Sequence, residues 1–339
     1  MILQKHILLL LFILVVFASP TLYAQLLRDQ RQHTLVLRGI DYTLRQEYDS
    51  AEGAFQSIIK EFPRHPSGYL YLAGMLQAKN TDYGDYFDED RYDSLLNAVV
   101  ELAKPFIENA STAAEGYFYT GSAEAFRSYT RSENGNLPSA VYYGLSAGAS
   151  MERCLELDPG FTEVKNILGS FYYWRSKMAW IPFIPDRSRE GITMIMESYV
   201  HPYEKHLASH NLMVILTEEK RYAEAEQYGV SMLKEYPDSR LFLWNLVTVY
   251  ERWGKSSQVK PVVERLLNST MNAKVINRYA EASCRLKLAR FAADAGNMSA
   301  AKEELQRMIS LQRFVGATKG NLKKKIGQAK DLLERIERR

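Results

Sequence analysis

Residues 39–63 of this chain read GIDYTLRQEYDSAEGAFQSIIKEFP and decide its fold. Five residues carry the pattern, at steps of 3, 9, 4 and 8: Gly39, Tyr42, Ala51, Phe55 and Pro63. Small residues at fixed positions let two helices cross closely, and aromatic residues fill the space toward the next unit. A proline ends the second helix because it has no N–H to donate. The stretch therefore predicts a pair of packed helices joined by a short turn.

The same pattern recurs along the chain. Ala225 precedes Pro237 by 12 residues, as Ala51 precedes Pro63, and Ala289 and Ala301 are again 12 apart. Further units are marked by Gly74, by Gly121 with Ala147 and Pro159, by Gly169 with Tyr172, and by Leu246 with Tyr250. One helix pair cannot bury its apolar face alone, so neighbouring pairs stack into a continuous core. We count about seven units by this periodicity.

This pattern resembles the tetratricopeptide repeat, in which Gly, two residues and Tyr are followed by Ala, three residues and Phe, and then by Pro. The resemblance covers most of residues 33 to 312. It implies an all-α fold, a right-handed α-solenoid of about seven helix pairs. It also implies a scaffold that binds proteins or peptides, without catalysis and without a cofactor.

The first residues predict export. Lys5 and His6 precede an unbroken apolar run over residues 7–17, and Ala24 precedes Gln25. A charged segment, a short apolar segment and a small residue at the cut are typical of a secretory signal peptide. We predict cleavage between Ala24 and Gln25, and an uncleaved N-terminal anchor is the alternative. The chain is then an exported, bacterial-type tetratricopeptide-repeat protein of the periplasm or outer membrane, with secretion left open.

Three parts follow from this: a signal peptide over residues 1–24, a solenoid over 25–316, and a basic amphipathic helix over 317–339 that caps it. Residues 319 to 339 contain 8 Lys and Arg against 3 Asp and Glu. A solvated cap face is the simpler interpretation of that charge, and weak attraction to an acidic membrane is the alternative. The whole chain carries a net charge of only +3, with no interleaved basic and aromatic residues, so we expect no nucleic-acid partner.

The resemblance also places a groove. In tetratricopeptide repeats the first helix of each pair lines the concave face, with its second, fifth, ninth, twelfth and thirteenth residues pointing inward. Carried onto this sequence, that frame predicts a groove lined by Tyr71, Phe118, Phe126, Tyr173, Trp174, His210, Trp244, Arg252 and Arg290. Aromatic and Arg side chains are enriched at binding hot spots. The predicted partner is a protein or peptide of the cell envelope. The alternative is a superhelix that closes tightly, so that these side chains pack on one another.

Three central units have long segments between their two helices. Gly121 and Ala147 are 26 residues apart and Gly169 and Gly191 are 22 apart, against 12 in the first unit. The second unit has an acidic stretch, residues 82–93, in the same place. Insertions at equivalent positions emerge at one edge of a solenoid, often the binding edge. We therefore expect long loops there, the acidic one solvated.

The fourth unit has the most distinctive segment, residues 176–189, which reads SKMAWIPFIPDRSR. It predicts an ordered flap whose contact residues are Trp180, Phe183, Asp186 and Arg187. A loop that folds back over the core is the alternative. If this segment is the site, the protein is a module for a small ligand, a glycan or a membrane surface, and membrane association remains open.

Other motifs carry little chemistry. Residues 144–148 spell G-x-S-x-G, but a nucleophile elbow needs a strand-to-helix turn, and Ala147 belongs to a repeat helix. His206 and His210 have metal-ligand spacing without a third ligand in register. Cys154 and Cys284 lie several helices apart and are predicted to be two buried thiols. We predict no metal, no cofactor and no catalytic residue.

Overall fold

The computed structural model describes residues 27–84, 88–178, 185–316 and 320–338, and these residues form helices and turns with no strand. The predicted cleavage site at Ala24 and Gln25 lies outside them. In chain order the α-helices of this described part are α1 (Gln30–Leu44), α2 (Tyr48–Glu61), α3 (Ser67–Tyr83), α4 (Glu89–Glu108), α5 (Ala113–Glu133), α6 (Leu137–Leu157), α7 (Val164–Ser176), α8 (Ser188–Ser198), α9 (Lys205–Glu218), α10 (Tyr222–Glu235), α11 (Arg240–Trp253), α12 (Ser256–Met271), α13 (Arg278–Asp294), α14 (Met298–Ile309) and α15 (Asn321–Glu337). A 3₁₀ helix spans Ser310–Phe314.

The helices α1 to α14 pack as consecutive pairs. Each odd-numbered helix contacts the even-numbered helix that follows it, and each even-numbered helix contacts the next odd-numbered one. The described part of the chain therefore holds seven stacked pairs, as the periodicity predicted. The all-α solenoid is confirmed.

Close helix crossings explain the small residues of the pattern. A Cβ atom on Gly39 would lie 2.3 Å from Cε1 of Phe55, so the ring of the second helix occupies the space that a side chain on the first would need. In the fourth pair, a Cβ on Gly191 would lie 2.4 Å from the carbonyl oxygen of Gly169. Backbones that approach this closely exclude any larger residue.

The expected long loops in the second and third pairs are wrong, because the extra residues lengthen the helices. Helices α5 and α6 have 21 residues each, whereas α1 and α2 have 15 and 14. At 1.5 Å per residue, each helix of the third pair is about 10 Å longer than α2. Residues 122–133 contain no Gly or Pro. Pro138 lies at the start of α6, where its missing N–H costs no hydrogen bond.

The described parts of the acidic stretch, residues 82–84 and 88–93, do not form a solvated loop. Asp82 lies in the last turn of α3, and both its carboxylate oxygens accept hydrogen bonds from the buried guanidinium of Arg240, at 2.7 and 2.5 Å. Asp88 caps α4 by accepting a bond from the N–H of Arg91 at 3.0 Å. Asp93 binds Arg131 of the third pair at 2.8 Å. These carboxylates have protein partners, which corrects the expectation from the sequence.

The solenoid closes on itself. Helix α13 contacts α3, although four pairs lie between theirs in sequence order. Asn277, at the start of α13, donates to the carbonyl oxygen of Asp82 at 2.7 Å, and Asn321 of α15 donates to the carbonyl oxygen of Gly84. Helix α13 and the capping helix α15 therefore contact the second pair across the superhelix axis. These contacts narrow the space inside the superhelix.

Helix α15 caps the end of the solenoid. Leu322, Ile326 and Ala329 are buried in a cluster with Leu286 of α13 and Leu305 of α14. The predicted capping helix is confirmed, and it begins at Asn321. Cys154 and Cys284 are free and buried, as predicted.

Candidate partner-binding groove

The first helices of the pairs form the concave side, and the predicted groove residues divide there into buried and exposed sets. Phe118 is 2% exposed and Tyr173 is 0% exposed. The Phe118 ring lies 5.3 Å from that of Phe161, and the Tyr173 hydroxyl donates to Glu219 at 2.8 Å. Both side chains belong to the core, because the closed superhelix packs them on neighbouring helices. This corrects the open-groove interpretation for these two residues.

Tyr71 and Phe126 are half-buried. The Tyr71 ring stacks on Phe55 with centroids 6.1 Å apart, and it lies 6.3 Å from the ring of Tyr203 at the start of α9. Burial raises the pKa of the Tyr71 hydroxyl well above its usual value. Phe126 lies against Gly74, where a Cβ would come within 3.3 Å of its ring. The side chains of Tyr71 and Phe126 therefore pack between helix pairs and contribute less to an open surface.

A polar interior lies between α1, α7 and α9. Asn166 donates to the buried carboxylate of Glu204 at 2.9 Å, and Asn211 donates to the side-chain oxygen of Asn166 at 2.9 Å. Burial raises the pKa of Glu204 to about 7. His201 lies 3.1 Å from the buried carboxylate of Glu163. The hydrogen bonds among Asn166, Glu204 and Asn211 join the fourth and fifth pairs.

His210 and Trp244 lie at the inner edge of this interior. Nδ1 of His210 and the side-chain amide of Asn245 are 2.8 Å apart. Burial lowers the pKa of His210 to about 4, although the hydrogen bond with Asn245 opposes the shift. The pKa of His206 is also lowered to about 4, first by burial and then by His210. Both rings are therefore neutral at pH 7. Trp244 is half-buried against the core.

Trp174, Arg252 and Arg290 remain exposed on the first helices of the fourth, sixth and seventh pairs. Trp174 is 45% exposed, although the ring of its neighbour Tyr173 lies only 4.9 Å away. Val214 of α9 is exposed between them in the helix order. We call these four residues the open groove. Trp174, Arg252 and Arg290 are the predicted groove residues that the structure leaves exposed, and Val214 was not predicted.

Ion pairs join consecutive first helices beside the open groove. Lys177 after α7 and Glu219 after α9 are 2.5 Å apart, and Glu218 of α9 and Arg252 of α11 are 3.5 Å apart. Glu251 of α11 pairs with Lys287 of α13. The hydrogen bond from Lys177 lowers the pKa of Glu219. Positive and negative charges thus alternate along this side and nearly cancel.

The described ends of the aromatic segment are anchored. The N–H of Arg187 donates to the hydroxyl of Ser176 at 2.8 Å, and its guanidinium lies 3.3 Å from the centroid of the Tyr172 ring. Asp186 accepts a bond from the N–H of Ser188 at 2.9 Å. Trp180 and Phe183 lie outside the described residues. The ordered flap therefore stays a prediction, with its C-terminal end fixed to α7.

Helix α6 has an exposed apolar face that was not predicted from the sequence. Leu137, Val141, Tyr142 and Leu145 are all exposed, and Tyr142 is 68% exposed. The spacing of four, one and three residues is that of one helical face, so the signal was present in the sequence. It was missed because this stretch was expected to be a loop. The face lies at the same edge of the solenoid as the connection between α7 and α8.

The remaining motifs lie in helices or turns. Ser146 of the G-x-S-x-G stretch lies inside α6 and donates to Glu124 at 2.7 Å. Within residues 27–84, 88–178, 185–316 and 320–338, three or more His, Cys, Asp or Glu side chains nowhere gather into a metal-binding group. In the same ranges, every helix is too short or too polar to cross a membrane.

The repeats and their stacking define the class of the protein: an all-α solenoid of helix pairs, whose sequence pattern resembles the tetratricopeptide repeat. No protein-family model and no curated protein matches the chain. Its fold is similar to that of PilW, described as a widely conserved type IV pilus biogenesis factor, with 14% identity, coverage of 87% of this chain and 98% of that one, and a TM-score of 0.41.

Two further solved structures are similar in fold. A tetratricopeptide repeat protein from Parabacteroides merdae shares 13% identity over 89% of this chain and 99% of its own, with a TM-score of 0.41. The human IFIT1 dimer with m7Gppp-AAAA shares 14% identity over 86% of this chain and 68% of its own, with a TM-score of 0.48. What those proteins bind is a property of those proteins, and the likeness here is one of helical repeats.

Proposed function

We propose that this protein is a non-catalytic scaffold of the bacterial cell envelope that binds a protein or peptide partner through its open groove. The exposure of Trp174 carries the proposal. A Trp side chain has a large apolar surface that water solvates poorly, and the neighbouring aromatic residue is fully buried. Exposed Trp and Arg on one concave side are the residue types that dominate binding energy at interfaces.

The location in the envelope rests on the predicted signal peptide, and the absence of catalysis rests on the repeat class. A nucleic-acid partner is not expected, because the charges beside the groove alternate in sign and form ion pairs. A nucleic acid would instead favour an unbroken positive stripe.

The test is capture of a partner from envelope extract by the mature chain, residues 25–339, followed by mass spectrometry. Trp174→Ala should weaken binding of the captured partner by about 1–3 kcal/mol, with Arg252→Ala also weakening it. Tyr142→Ala, which removes a more exposed aromatic residue from another surface, is the control. A partner that binds Trp174→Ala and the unchanged chain equally well would rule out this groove.

A second candidate is binding to a membrane surface. The exposed apolar face of α6 favours it, because four large apolar side chains face water on one helix. A helix face of this kind can insert at the boundary between lipid headgroups and acyl chains. Lys177 follows α7 and Arg187 precedes α8, and both side chains would contact acidic headgroups.

Sedimentation with vesicles of phosphatidylethanolamine and phosphatidylglycerol tests this candidate. Tyr142→Ser combined with Leu145→Ser should reduce the bound fraction, and so should Trp180→Ser combined with Phe183→Ser. Val200→Ser is the control, since Val200 is exposed on the connection between α8 and α9 at the opposite edge. Equal sedimentation of all variants would exclude a membrane contact at this edge.

A further inference from the structure

The charged side chains beside the open groove form ion pairs from the end of α7 as far as Lys287 of α13. Beyond Lys287 this series of ion pairs ends. Lys177, Arg252 and Lys287 each have a carboxylate partner on the neighbouring first helix. Arg290, one turn beyond Lys287 on α13, is exposed and has no carboxylate within ion-pair distance in the described part of the chain. The alternation therefore ends in surplus positive charge at the C-terminal end.

The capping helix adds a cation at the same place. Lys325 of α15 is half-buried, with its ammonium 5.8 Å from the centroid of the Tyr279 ring on α13. Lys325 also lacks a carboxylate partner among residues 27–84, 88–178, 185–316 and 320–338. Burial lowers the pKa of Lys325, and the nearby positive charges of Lys287 and Arg290 lower it further. Lys287 and Arg290 lie three residues apart on one face of α13, and α15 packs against that helix. We call these two residues and Lys325 the cationic cluster.

The position of this cluster is fixed by packing. Leu322 and Ile326, on either side of Lys325 in sequence, are buried against α13 and α14, and Tyr279 lies against Gly84 of the second pair. The lysine therefore cannot turn away without dislodging the cap. Like charges held together in a partly desolvated place destabilise one another, and an added anion would relieve that repulsion.

We propose that the cationic cluster binds an acidic segment of the polypeptide partner, whose remaining residues lie along the open groove toward Trp174. The proposal rests on the proposed function and names the chemistry of the partner. Charge complementarity is the reason: Lys177 and Arg252 each have a carboxylate partner, whereas Arg290 and Lys325 have none among the described residues. An extended segment with Asp or Glu at one end and apolar residues beyond it fits that order.

The probe is a fluorescein-labelled hexaglutamate peptide with an amidated C terminus, and the measurement is fluorescence anisotropy with the mature chain. We expect hexaglutamate to bind, hexaglutamine to bind much more weakly, and added salt to weaken the complex. The combined change Arg290→Glu and Lys325→Glu should reduce affinity by about tenfold or more, because hydrogen bonds to charged groups are lost. Lys330→Glu, an exposed lysine elsewhere on α15, is the matched control.

If the double reversal unfolds the cap, the neutral pair Arg290→Gln and Lys325→Gln replaces it. Failure of hexaglutamate to bind, or equal loss with Lys330→Glu, overturns the proposal. Displacement by millimolar inorganic phosphate but not by sodium chloride of equal ionic strength also overturns it, since the cluster would then be a phosphate site.

The outcome for the proposed function is read separately. A double-reversal variant that loses hexaglutamate but still captures the envelope partner leaves the groove proposal standing and refutes the acidic segment. Loss of capture in Trp174→Ala with hexaglutamate binding intact supports both proposals, because the two ends of the site then act independently. Capture that survives Trp174→Ala contradicts the groove, whatever the peptide does.

Discussion

Asp82 and Arg240 form a buried ion pair that joins the second and sixth helix pairs across the superhelix axis. They lie 158 residues apart in sequence, and their side chains are 7% and 3% exposed. The hydroxyl of Tyr48 and the side-chain amide of Asn277 also bond to Asp82. One aspartate, through its carboxylate and its backbone carbonyl, thus connects the first, second, sixth and seventh pairs.

Breaking this pair should destabilise the protein strongly. Asp82→Ala leaves the Arg240 guanidinium buried and unpaired, which costs about 3–5 kcal/mol in the free energy of unfolding. Urea denaturation of the mature chain measures it. Glu218→Ala breaks the exposed pair with Arg252 and should cost no more than about 1 kcal/mol. Similar losses in both variants would mean that closure across the axis contributes little.

Tyr173 and Trp174 are adjacent in sequence and should behave oppositely. Tyr173→Ala removes a fully buried ring and should cost about 3–5 kcal/mol in the free energy of unfolding. Trp174→Ala removes a ring that is half in water and should cost about 1 kcal/mol or less. Thermal and urea melts of the two variants decide the matter. A collapse of stability in Trp174→Ala would place that residue in the core instead of the open groove.

Stability should fall as the pH is lowered from about 6.5 to about 4, in part because of His210. Its pKa is depressed to about 4 in the folded state, whereas an unfolded His titrates near 6.5. Between these values the unfolded chain binds a proton that the folded chain does not, so the free energy of unfolding rises with pH there.

The comparison that isolates this effect is His210→Gln, which keeps an acceptor for Asn245. The variant should show a shallower pH dependence in urea melts, by up to about 1.4 kcal/mol per pH unit within that window. The raised pKa of Glu204 makes the free energy of unfolding fall with rising pH between about 4.5 and about 7. The quantity to compare is therefore the difference in slope between the unchanged chain and His210→Gln. Identical slopes would contradict a buried neutral His210.

The signal peptide is tested by intact mass. Expression of the whole chain in a Gram-negative host should yield, in the periplasmic fraction, a species that begins at Gln25. A protein that retains residues 1–24 and sediments with the inner membrane would establish the uncleaved anchor instead. The same experiment reports whether the chain is released into the medium.

The sequence by itself determined the repeat. Gly39, Ala51 and Phe55 have fixed spacing because a close helix crossing admits only a small residue opposite a ring, and that requirement is local to one pair. For the same reason the number of pairs, the buried thiols and the capping helix could all be predicted. Trp174 and Arg252 share one position within the repeat and both are exposed, and their role in a groove stays a prediction.

Only the tertiary structure decided how far the solenoid closes. The curvature of a superhelix is the sum of small rotations between pairs, and no single repeat encodes the sum. That sum brings Asp82 to Arg240. Tyr173 is buried, although its place in the repeat is the same as that of the exposed Glu251. The same sum also gathers Lys287, Arg290 and Lys325 from two helices, because only packing of the cap determines which cations meet at the end of the groove.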